Sequence, residues 1–470
     1  MTPEITTGAD KLGHLTLHVS SSVTLFFLLV LAMMITAIAM EEKIHAKKSL
    51  IVGLFGILCL IVATDFNIIP FGNVVLPDGH TLEIPVYVTA IDWGVIAIIL
   101  GSSLFVDIVS RSGLFTWVAI KLTKTSYGDP LKLLWYYSLM TVIFSAVLNN
   151  VTAMIIVGSL TAVSLAKLER RELLLGFLLI EGLLTNVGGL LTLISSVPNI
   201  IVGHTAGISF VEFFLKASPF VAATTVMTIL LGAQLFSIQG LKTDTERQQA
   251  LTLISSFDEN DGIESAGFFW FAAFMLALFI GLVAAASVLP VTKDLGIGFI
   301  ALTFAAIMLI KYKADVDKFY KAIDWDLIAF FMALFVVINV MEHAHVLEWI
   351  GRGISFIIGD SKSLQGTGSL LVASATASSV TDNIPLTAML SKILAAGDTA
   401  PDSALWWSVV FGANLGGNLT PIGSASTLVA VTIMHKHELS VTFLGFVKKA
   451  APFALMHLLL AVGYVLLVLY

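Results

Sequence analysis

The stretch NVGGLLTLISS occupies residues 186–196, and a second version of it, NLGGNLTPIGS, occupies residues 414–424. Each follows another polar interruption, SAVLNN at 145–150 and SSVTDN at 378–383. Inside a membrane, irregular backbone is tolerated only where protein or a water-filled cavity covers its polar groups. Two matching versions, one in each half of the chain, therefore predict an ion or substrate site built from a duplicated unit.

The composition indicates an integral membrane protein. Hydrophobic residues make up 57% of the chain, charged residues 12%, and the mean hydropathy is +0.95, which is far from the balance of soluble domains. A net charge of −7 without a basic tail predicts no nucleic-acid partner. No phosphate-binding loop motif is present in the sequence, so we expect no ATP-driven step and no cofactor besides coupling ions. We expect a multi-pass protein of the cell membrane, in contact with lipid.

The predicted fold is all-α, with about ten full spans, two re-entrant helical hairpins and two broken helices. The hairpins are predicted at 133–166 and 370–396, and the broken helices, which are two of the ten spans, at 172–202 and 404–434. The other predicted spans are 22–40, 49–63, 91–109, 213–236, 268–290, 296–310, 326–341 and 451–470.

A collinear set of matches indicates an internal duplication. Ala90-Ile91-Asp92-Trp93 recurs as Ala322-Ile323-Asp324-Trp325, 232 residues later. The polar motifs match at similar spacings: Ser145, Val147 and Asn150 with Ser378, Val380 and Asn383, and Asn186, Gly188, Gly189, Thr192, Ile194 and Ser196 with Asn414, Gly416, Gly417, Thr420, Ile422 and Ser424.

Charge placement predicts that the two copies have opposite orientations. Residues 71–90, before Trp93, contain no Lys or Arg, whereas the stretch before Trp325 contains Lys311, Lys313, Lys318 and Lys321. Basic residues accumulate in cytoplasmic loops, so the copies enter equivalent helices from opposite sides. We predict inverted repeats at 1–237 and 268–470, joined by a cytoplasmic linker at 238–267, with the N-terminus outside.

The first hairpin is predicted from its ends and its centre. Lys132 precedes it, Lys167, Arg170 and Arg171 follow it, and Asn149-Asn150 lies between. Both ends therefore favour the cytoplasmic side. Two arms of about 16 residues would each reach only part of the way across at about 1.5 Å per residue. A pair of short tilted spans is the alternative.

The polar breaks supply the candidate binding residues. Half-helix N-termini attract anions, whereas unwound carbonyls and Asn, Ser and Thr oxygens bind Na⁺. The alternative is that the small residues only allow close helix packing. The predicted ion or substrate ligands are Asn149, Asn150, Thr152, Asn186, Gly188, Gly189, Thr192, Ser195, Ser196 and Asn199 in the first copy, and Thr381, Asp382, Asn383, Asn414, Gly416, Gly417, Thr420, Ser424, Ser426 and Thr427 in the second.

Acidic residues within or next to the predicted spans form a second set: Asp65, Asp107, Glu181 and Asp382. Asp65 and Asp107 lie near span ends, where a solvated position is the alternative. A carboxylate within a membrane span usually marks an ion or proton pathway. We expect Asp382 and Glu181 to carry protons, and Na⁺ to bind near Asp382 and Asn383. Because no Lys or Arg is expected to balance these acids in the membrane core, at least one transported species is expected to be a cation or a proton.

At these motifs the chain resembles the ion transporter superfamily, in its branch of arsenite permeases, NhaD-type antiporters and melanocyte P-proteins, with a citrate-transporter-like domain. The resemblance covers roughly residues 20–470 and rests on VLNNVTAMIIVGSLT, EGLLTNVGGLLTLISSVPNIIVG, SSVTDNIPLTAML and LWWSVVFGANLGGNLTPIGSAS. It implies inverted repeats with re-entrant hairpins, a homodimer and an elevator-type motion. Its hairpin-tip and broken-helix residues map onto the candidate ligands above.

The chain departs from P-protein-like members at two positions. Where they usually have an acidic LDN in the first hairpin, this chain has Leu148-Asn149-Asn150, and where they tend to have Asp in the first broken helix it has Ser196. The first half-site is therefore neutral, and only Asp382 charges the second.

The sequence predicts a cation-coupled secondary transporter rather than an enzyme. Na⁺/H⁺ antiport is narrowly preferred, and Na⁺- or H⁺-coupled transport of a carboxylate such as citrate, or of an oxyanion such as arsenite, is the alternative. An intramembrane protease would need a catalytic pair, and the GxGD motif is absent from the sequence. A passive channel is a further alternative, although it explains the acids poorly.

Overall fold

The computed structural model describes residues 19–69, 72–75, 80–358, 363–439 and 441–470. The predicted outside position of the N-terminus concerns residues 1–18, which lie outside the described residues. The first half contains the helices α1 (Ser21–Ala39), α2 (Glu41–Ile44), α3 (Lys48–Asp65), α4 (Val86–Thr89), α5 (Trp93–Ser110), α6 (Leu114–Thr125), α7 (Pro130–Val147), α8 (Asn150–Lys167), α9 (Leu174–Gly188), α10 (Val197–Ala206) and α11 (Phe210–Leu235).

The linker contains one helix, α12 (Asp244–Ile254). The second half contains α13 (Ala266–Ala284), α14 (Pro290–Lys311), α15 (Val316–Ala322), α16 (Trp325–His343), α17 (Val346–Ile358), α18 (Leu364–Ser378), α19 (Asn383–Ala396), α20 (Ala404–Gly416), α21 (Ala425–Lys436) and α22 (Phe443–Tyr464). A short antiparallel pair of strands, β1 (Gly72–Val75) and β2 (Thr81–Ile84), lies between α3 and α4 and was not predicted.

Within the described residues, ten helices are long and apolar enough to cross a membrane: α1, α3, α5, α7, α8, α11, α13, α14, α16 and α22. Eight of them match the unbroken spans predicted from the sequence, and α7 and α8 are the arms of the first hairpin. The protein is thus a multi-pass membrane protein. The helix α22 begins at Phe443, earlier than the predicted start of its span at 451.

Both predicted hairpins are present. The helices α7 and α8 form the first and pack along each other, and α18 and α19 form the second. Each second arm starts at a capped residue, because Asn149 Oδ1 accepts from the Thr152 amide and Asp382 Oδ1 accepts from the Ile384 amide. The arms of the first hairpin have 18 residues each, so each is about 27 Å long and longer than predicted.

Both broken helices are present as well. The first consists of α9 and α10 and the second of α20 and α21, and each break lies between the paired glycines and a serine. Ser196 and Ser424 are extended, with φ/ψ of −134°/138° and −149°/150°, and each starts the second half-helix. Equivalent residues of the two copies therefore adopt the same backbone conformation.

The two copies pack against each other reciprocally. The helix α5 of the first copy packs on α14 of the second, and α16 of the second packs on α3 of the first. In the same way α8 packs on α21 and α10 packs on α19. Each pair exchanges equivalent elements, as a two-fold pseudo-symmetric arrangement requires. The all-α fold of two inverted repeats with hairpins and broken helices is confirmed.

Candidate functional site

A cavity of about 790 Å³ lies where the two hairpin turns meet the two breaks. Its volume is within the roughly 300–1,000 Å³ of small-molecule sites. Its walls include ten of the predicted ligands: Asn149, Asn150, Thr152, Asn186, Ser195, Ser196, Asp382, Asn383, Ser424 and Ser426. The structure therefore brings both half-sites together around one space.

Four helices begin at this cavity. The N-terminal residues of α8, α10, α19 and α21 all contribute to its walls, and their N-cap residues are Asn149, Ser196, Asp382 and Ser424. The first amides of a helix lack partners within it, and the helix dipole makes that end partly positive. Four such ends around one cavity favour a bound anion.

Asn186 connects the two copies at the cavity wall. Its Nδ2 donates to Asn418 Oδ1 at 2.8 Å and to Ser424 Oγ at 2.9 Å. Its Oδ1 accepts from Asn150 Nδ2 at 3.3 Å and from Ser426 Oγ at 3.1 Å. The first break is thereby bonded both to its own hairpin and to the break of the other copy.

Asn414 makes the equivalent connection from the second copy. Its Oδ1 accepts from Ser196 Oγ at 2.7 Å, and its Nδ2 donates to Asn199 Oδ1 at 3.0 Å. Ser196 and Ser424 are equivalent positions, and each is hydrogen-bonded to an asparagine of the other copy: Ser196 to Asn414 and Ser424 to Asn186. Asn414 itself is buried and does not line the cavity.

The hydroxyl groups of the breaks join each break to its own hairpin. Thr420 Oγ1 donates to the Ser379 carbonyl at 2.6 Å, and Thr192 Oγ1 donates to the equivalent carbonyl of Ala146. Within the first break, Ser195 Oγ and Asn199 Nδ2 both donate to the Gly189 carbonyl, each at 2.6 Å.

Besides Asn414, the predicted ligands that do not line the cavity are Gly188, Gly189, Thr192, Asn199, Thr381, Gly416, Gly417, Thr420 and Thr427.

The glycines at the ends of α9 and α20 allow close packing. A Cβ added to Gly188 would collide with the backbone of Val142 in α7, and one added to Gly416 would collide with the Ala375 carbonyl in α18. The geometry thus favours the packing alternative at these two positions. Asn186 and Asn414, by contrast, are held in place by hydrogen bonds between the two copies.

A lysine lies beside Asp382, and the expectation that no basic residue balances the acids is wrong there. Lys48 Nζ is 2.6 Å from Asp382 Oδ2 and 3.6 Å from Glu41 Oε1. Lys48 is the first residue of α3, and Asp382 caps α19 in the other copy. Among the described residues, no group of three or more His, Cys, Asp and Glu side chains is placed to hold a metal ion.

The other candidate acids have different surroundings. Glu181 is fully buried outside the cavity lining, where its Oε1 accepts from Thr161 Oγ1 at 2.6 Å and its Oε2 has no hydrogen-bond partner. Asp107 lines the cavity and is paired with Arg111 at 3.0 Å. Asp65 is exposed at the end of α3. Asp382 is thus the acid that lies at the junction of the two half-sites.

Lys48, Asn418 and His457 are among the residues of the site that were not predicted from the sequence. Lys48 directly precedes an apolar span, and a lysine in such a loop is ordinarily a cytoplasmic-side residue. Asn418 lies within the second polar motif, but its counterpart in the first copy is Leu190, so comparing the copies passes over it. His457 lies inside a predicted span, and this intramembrane position is the signal that could have revealed it.

Known proteins with similar sequences include membrane transporters. A transporter of Mycobacterium tuberculosis (strain ATCC 25618 / H37Rv) is 27% identical over 80% of this chain and 86% of its own length. The 46 kDa membrane protein of Mycobacterium leprae is 29% identical over 79% and 86%. The P protein of Mus musculus is 25% identical over 80% of this chain, which spans 54% of that longer protein.

A solved structure shares the fold. The YdaH transporter of Alcanivorax borkumensis, whose crystal structure is described as having an unusual topology, superposes with a TM-score of 0.55 at 11% identity. The match covers 90% of this chain and 98% of YdaH. The model of the citrate transporter family matches residues 12–412. This chain is therefore a membrane transporter that belongs to the citrate transporter family.

Proposed function

We propose that the protein carries a small carboxylate, such as citrate, across the membrane, driven by a Na⁺ or H⁺ gradient. The observation that carries the proposal is the cavity in which four helix N-termini and Lys48 surround a space beside Asp382. Helix N-termini and an ammonium group attract anions. Asp382 offers a carboxylate to a coupling cation.

Cation-coupled transport of a carboxylate fits the cavity better than simple Na⁺/H⁺ exchange does. An exchanger needs one acidic site for two competing cations, whereas this cavity combines cationic and anionic groups. Among the acids, Asp382 is the better proton or Na⁺ carrier because Glu181 does not line the cavity.

An elevator-type movement is part of the proposal. The cavity is also lined by Glu41, His45 and Asp326, which belong to helix ends that charge placement assigns to the cytoplasm. This form therefore corresponds to a cytoplasm-facing state. Transport requires the hairpins and broken helices to move so that the same cavity faces the other side.

Proteoliposomes containing the purified protein test the proposal. We expect uptake of labelled citrate to require an inward Na⁺ or H⁺ gradient and to stop when the gradient is dissipated. If a Na⁺ gradient moves protons, read with a pH-sensitive dye, without any carboxylate and without citrate uptake, the protein is an exchanger and the proposal is wrong.

A further inference from the structure

The ion pair between Lys48 and Asp382 joins the two copies inside the cavity. The residues are 334 positions apart in sequence, and both line the cavity. The Asp382 side chain is 14% exposed and that of Lys48 is 30% exposed. A charge-assisted contact at 2.6 Å between partly buried groups is much stronger than an exposed surface pair.

Both oxygens of Asp382 are engaged in this form of the protein. Oδ1 accepts from the Ile384 amide at 2.9 Å as the cap of α19, and Oδ2 accepts from Lys48. A coupling cation that binds Oδ2 must therefore displace the lysine ammonium group. Two cations at one carboxylate oxygen would repel each other, so Na⁺ or H⁺ and Lys48 are alternatives.

We propose that Lys48 is a tethered cation that Asp382 exchanges for the coupling cation, and that the released ammonium group then binds a carboxylate of the carried anion. This inference rests on the proposed function. Before the exchange, the negative charge of Asp382 is compensated by Lys48. After it, the coupling cation compensates Asp382, and Lys48 compensates the substrate. The exchange links cation binding to anion binding without any covalent step.

The other charged groups of the cavity fit this arrangement. Glu41 lies 3.6 Å from the lysine nitrogen and keeps the released side chain near the cavity. Asp326 accepts a hydrogen bond from Ser49, Asp107 pairs with Arg111, and His45, Lys47 and Asp324 complete the charged lining. The bond from Ser49 to Asp326 also joins the two copies, but its donor is a neutral hydroxyl group, so it is not an ion pair.

Of the two half-sites, the second has a carboxylate paired with a lysine at the hairpin turn. Asn149 occupies the position equivalent to Asp382 and caps α8 in the same way, as a neutral amide. An Asp382→Asn variant would therefore place at α19 the capping residue that α8 already uses. This substitution tests the charge of Asp382 while preserving its structural role.

The experiment measures binding of citrate and Na⁺ to the purified protein by thermal stabilisation, with choline replacing Na⁺, at several pH values. In the unmodified protein, citrate affinity should depend on Na⁺ or on pH. In Asp382→Asn it should become independent of Na⁺ and should keep only the pH dependence of citrate's own ionisation, because Lys48 is always released. In Lys48→Gln it should fall about tenfold or more, the loss of one charge-assisted bond, whereas cation affinity should rise.

Lys43→Gln is the matched control, since Lys43 is exposed on α2 and does not line the cavity; it should behave as the unmodified protein. The inference is overturned if Asp382→Asn keeps the original cation dependence or if Lys48→Gln binds citrate normally. If citrate fails to bind the unmodified protein under every condition, the proposed function is wrong. The cation affinity of Lys48→Gln then tests whether Lys48 and the coupling cation exchange at Asp382. A higher affinity than in the unmodified protein supports the exchange, and an equal affinity refutes it.

Discussion

At the scale of single residues, His457 fixes the direction of the hydrogen bonds that reach the cavity. Thr228 Oγ1 donates to the Thr224 carbonyl at 2.7 Å, so His457 Nε2, 2.8 Å away, must donate to Thr228. His457 Nδ1 then accepts from Asn418 Nδ2 at 3.1 Å. This neutral tautomer turns Asn418 Oδ1 toward Asn186, and Asn186 in turn presents its Oδ1 to Asn150 and Ser426.

We expect His457→Leu to lower the free energy of unfolding by about 1–3 kcal/mol, because the buried amide of Asn418 loses its acceptor. His457→Gln should recover part of this loss, since its carbonyl oxygen can accept from the same amide. Thermal unfolding in detergent measures both. His437→Leu is the control, because His437 is exposed and should change stability by less than about 0.5 kcal/mol. Equal effects at His457 and His437 would contradict the assignment.

At the scale of elements, the broken helices depend on close contact with the hairpins. Ser378 Oγ donates to the Ala413 carbonyl at 2.6 Å, and Ser145 Oγ donates to the equivalent Thr185 carbonyl at 2.6 Å. These bonds lie next to the glycines at which the helix meets the hairpin arm. The hairpin and the broken helix of each copy therefore form one packed unit.

We predict that Gly416→Ala disrupts this unit in the second copy. The added methyl group would meet the backbone carbonyl of Ala375, which cannot move as a flexible side chain does, and overpacking of this kind costs about 1–3 kcal/mol. Gly281→Ala is the control, because nothing lies within 4 Å of a Cβ at Gly281. The melting temperatures of the two variants are compared. Equal melting temperatures would show that the contact at Gly416 is not limiting.

The linker is held to α6 by an ion pair. Glu259 accepts from Lys124, lies 3.6 Å from Lys121 and so holds the linker to the end of α6. The hydrogen bond from Lys124 is the largest cause that lowers the pKa of Glu259. A lowered folded-state pKa means that this contact stabilises docking above the ordinary Glu value of about 4.3 and is lost as the pH falls through the folded-state pKa.

We expect the protection of the backbone amides of α12 and its flanks against hydrogen exchange, relative to the intrinsic exchange rate at each pH, to fall below about pH 4 and in about 0.5 M salt, because the exposed contact is screened. Glu259→Gln should show the lower protection already at pH 7 and lose the dependence on pH. Glu264→Gln, at a nearby carboxylate of the linker, is the control. An unchanged exchange rate in Glu259→Gln would show that the apolar contacts alone hold the linker.

At the scale of the whole molecule, the repeats, the hairpins and the breaks could be predicted from the sequence because each produces a local sequence signal. Paired glycines, amides and capping residues stand out from apolar spans, and their spacing repeats. The pair of Lys48 with Asp382 could not be predicted, because it depends on how α3 of one copy packs against the other copy. Asn418 and His457 were missed because they lack counterparts in the first copy, so the same comparison that revealed the repeats concealed them.

The opposite orientation of the two copies is the property of the whole molecule that most directly supports transport, and cysteine labelling tests it. Cys59 is the single cysteine and is buried, so Cys59→Ala gives a background for single cysteines at exposed positions. We expect Thr205→Cys, in the last turn of the first broken helix, to react with a membrane-impermeant maleimide in intact cells. Gln248→Cys, in the linker, should react only after permeabilisation, and Asp398→Cys, between the second hairpin and its broken helix, should react in intact cells. Protection of Asp398→Cys would place both hairpins on the same side and contradict the inverted arrangement.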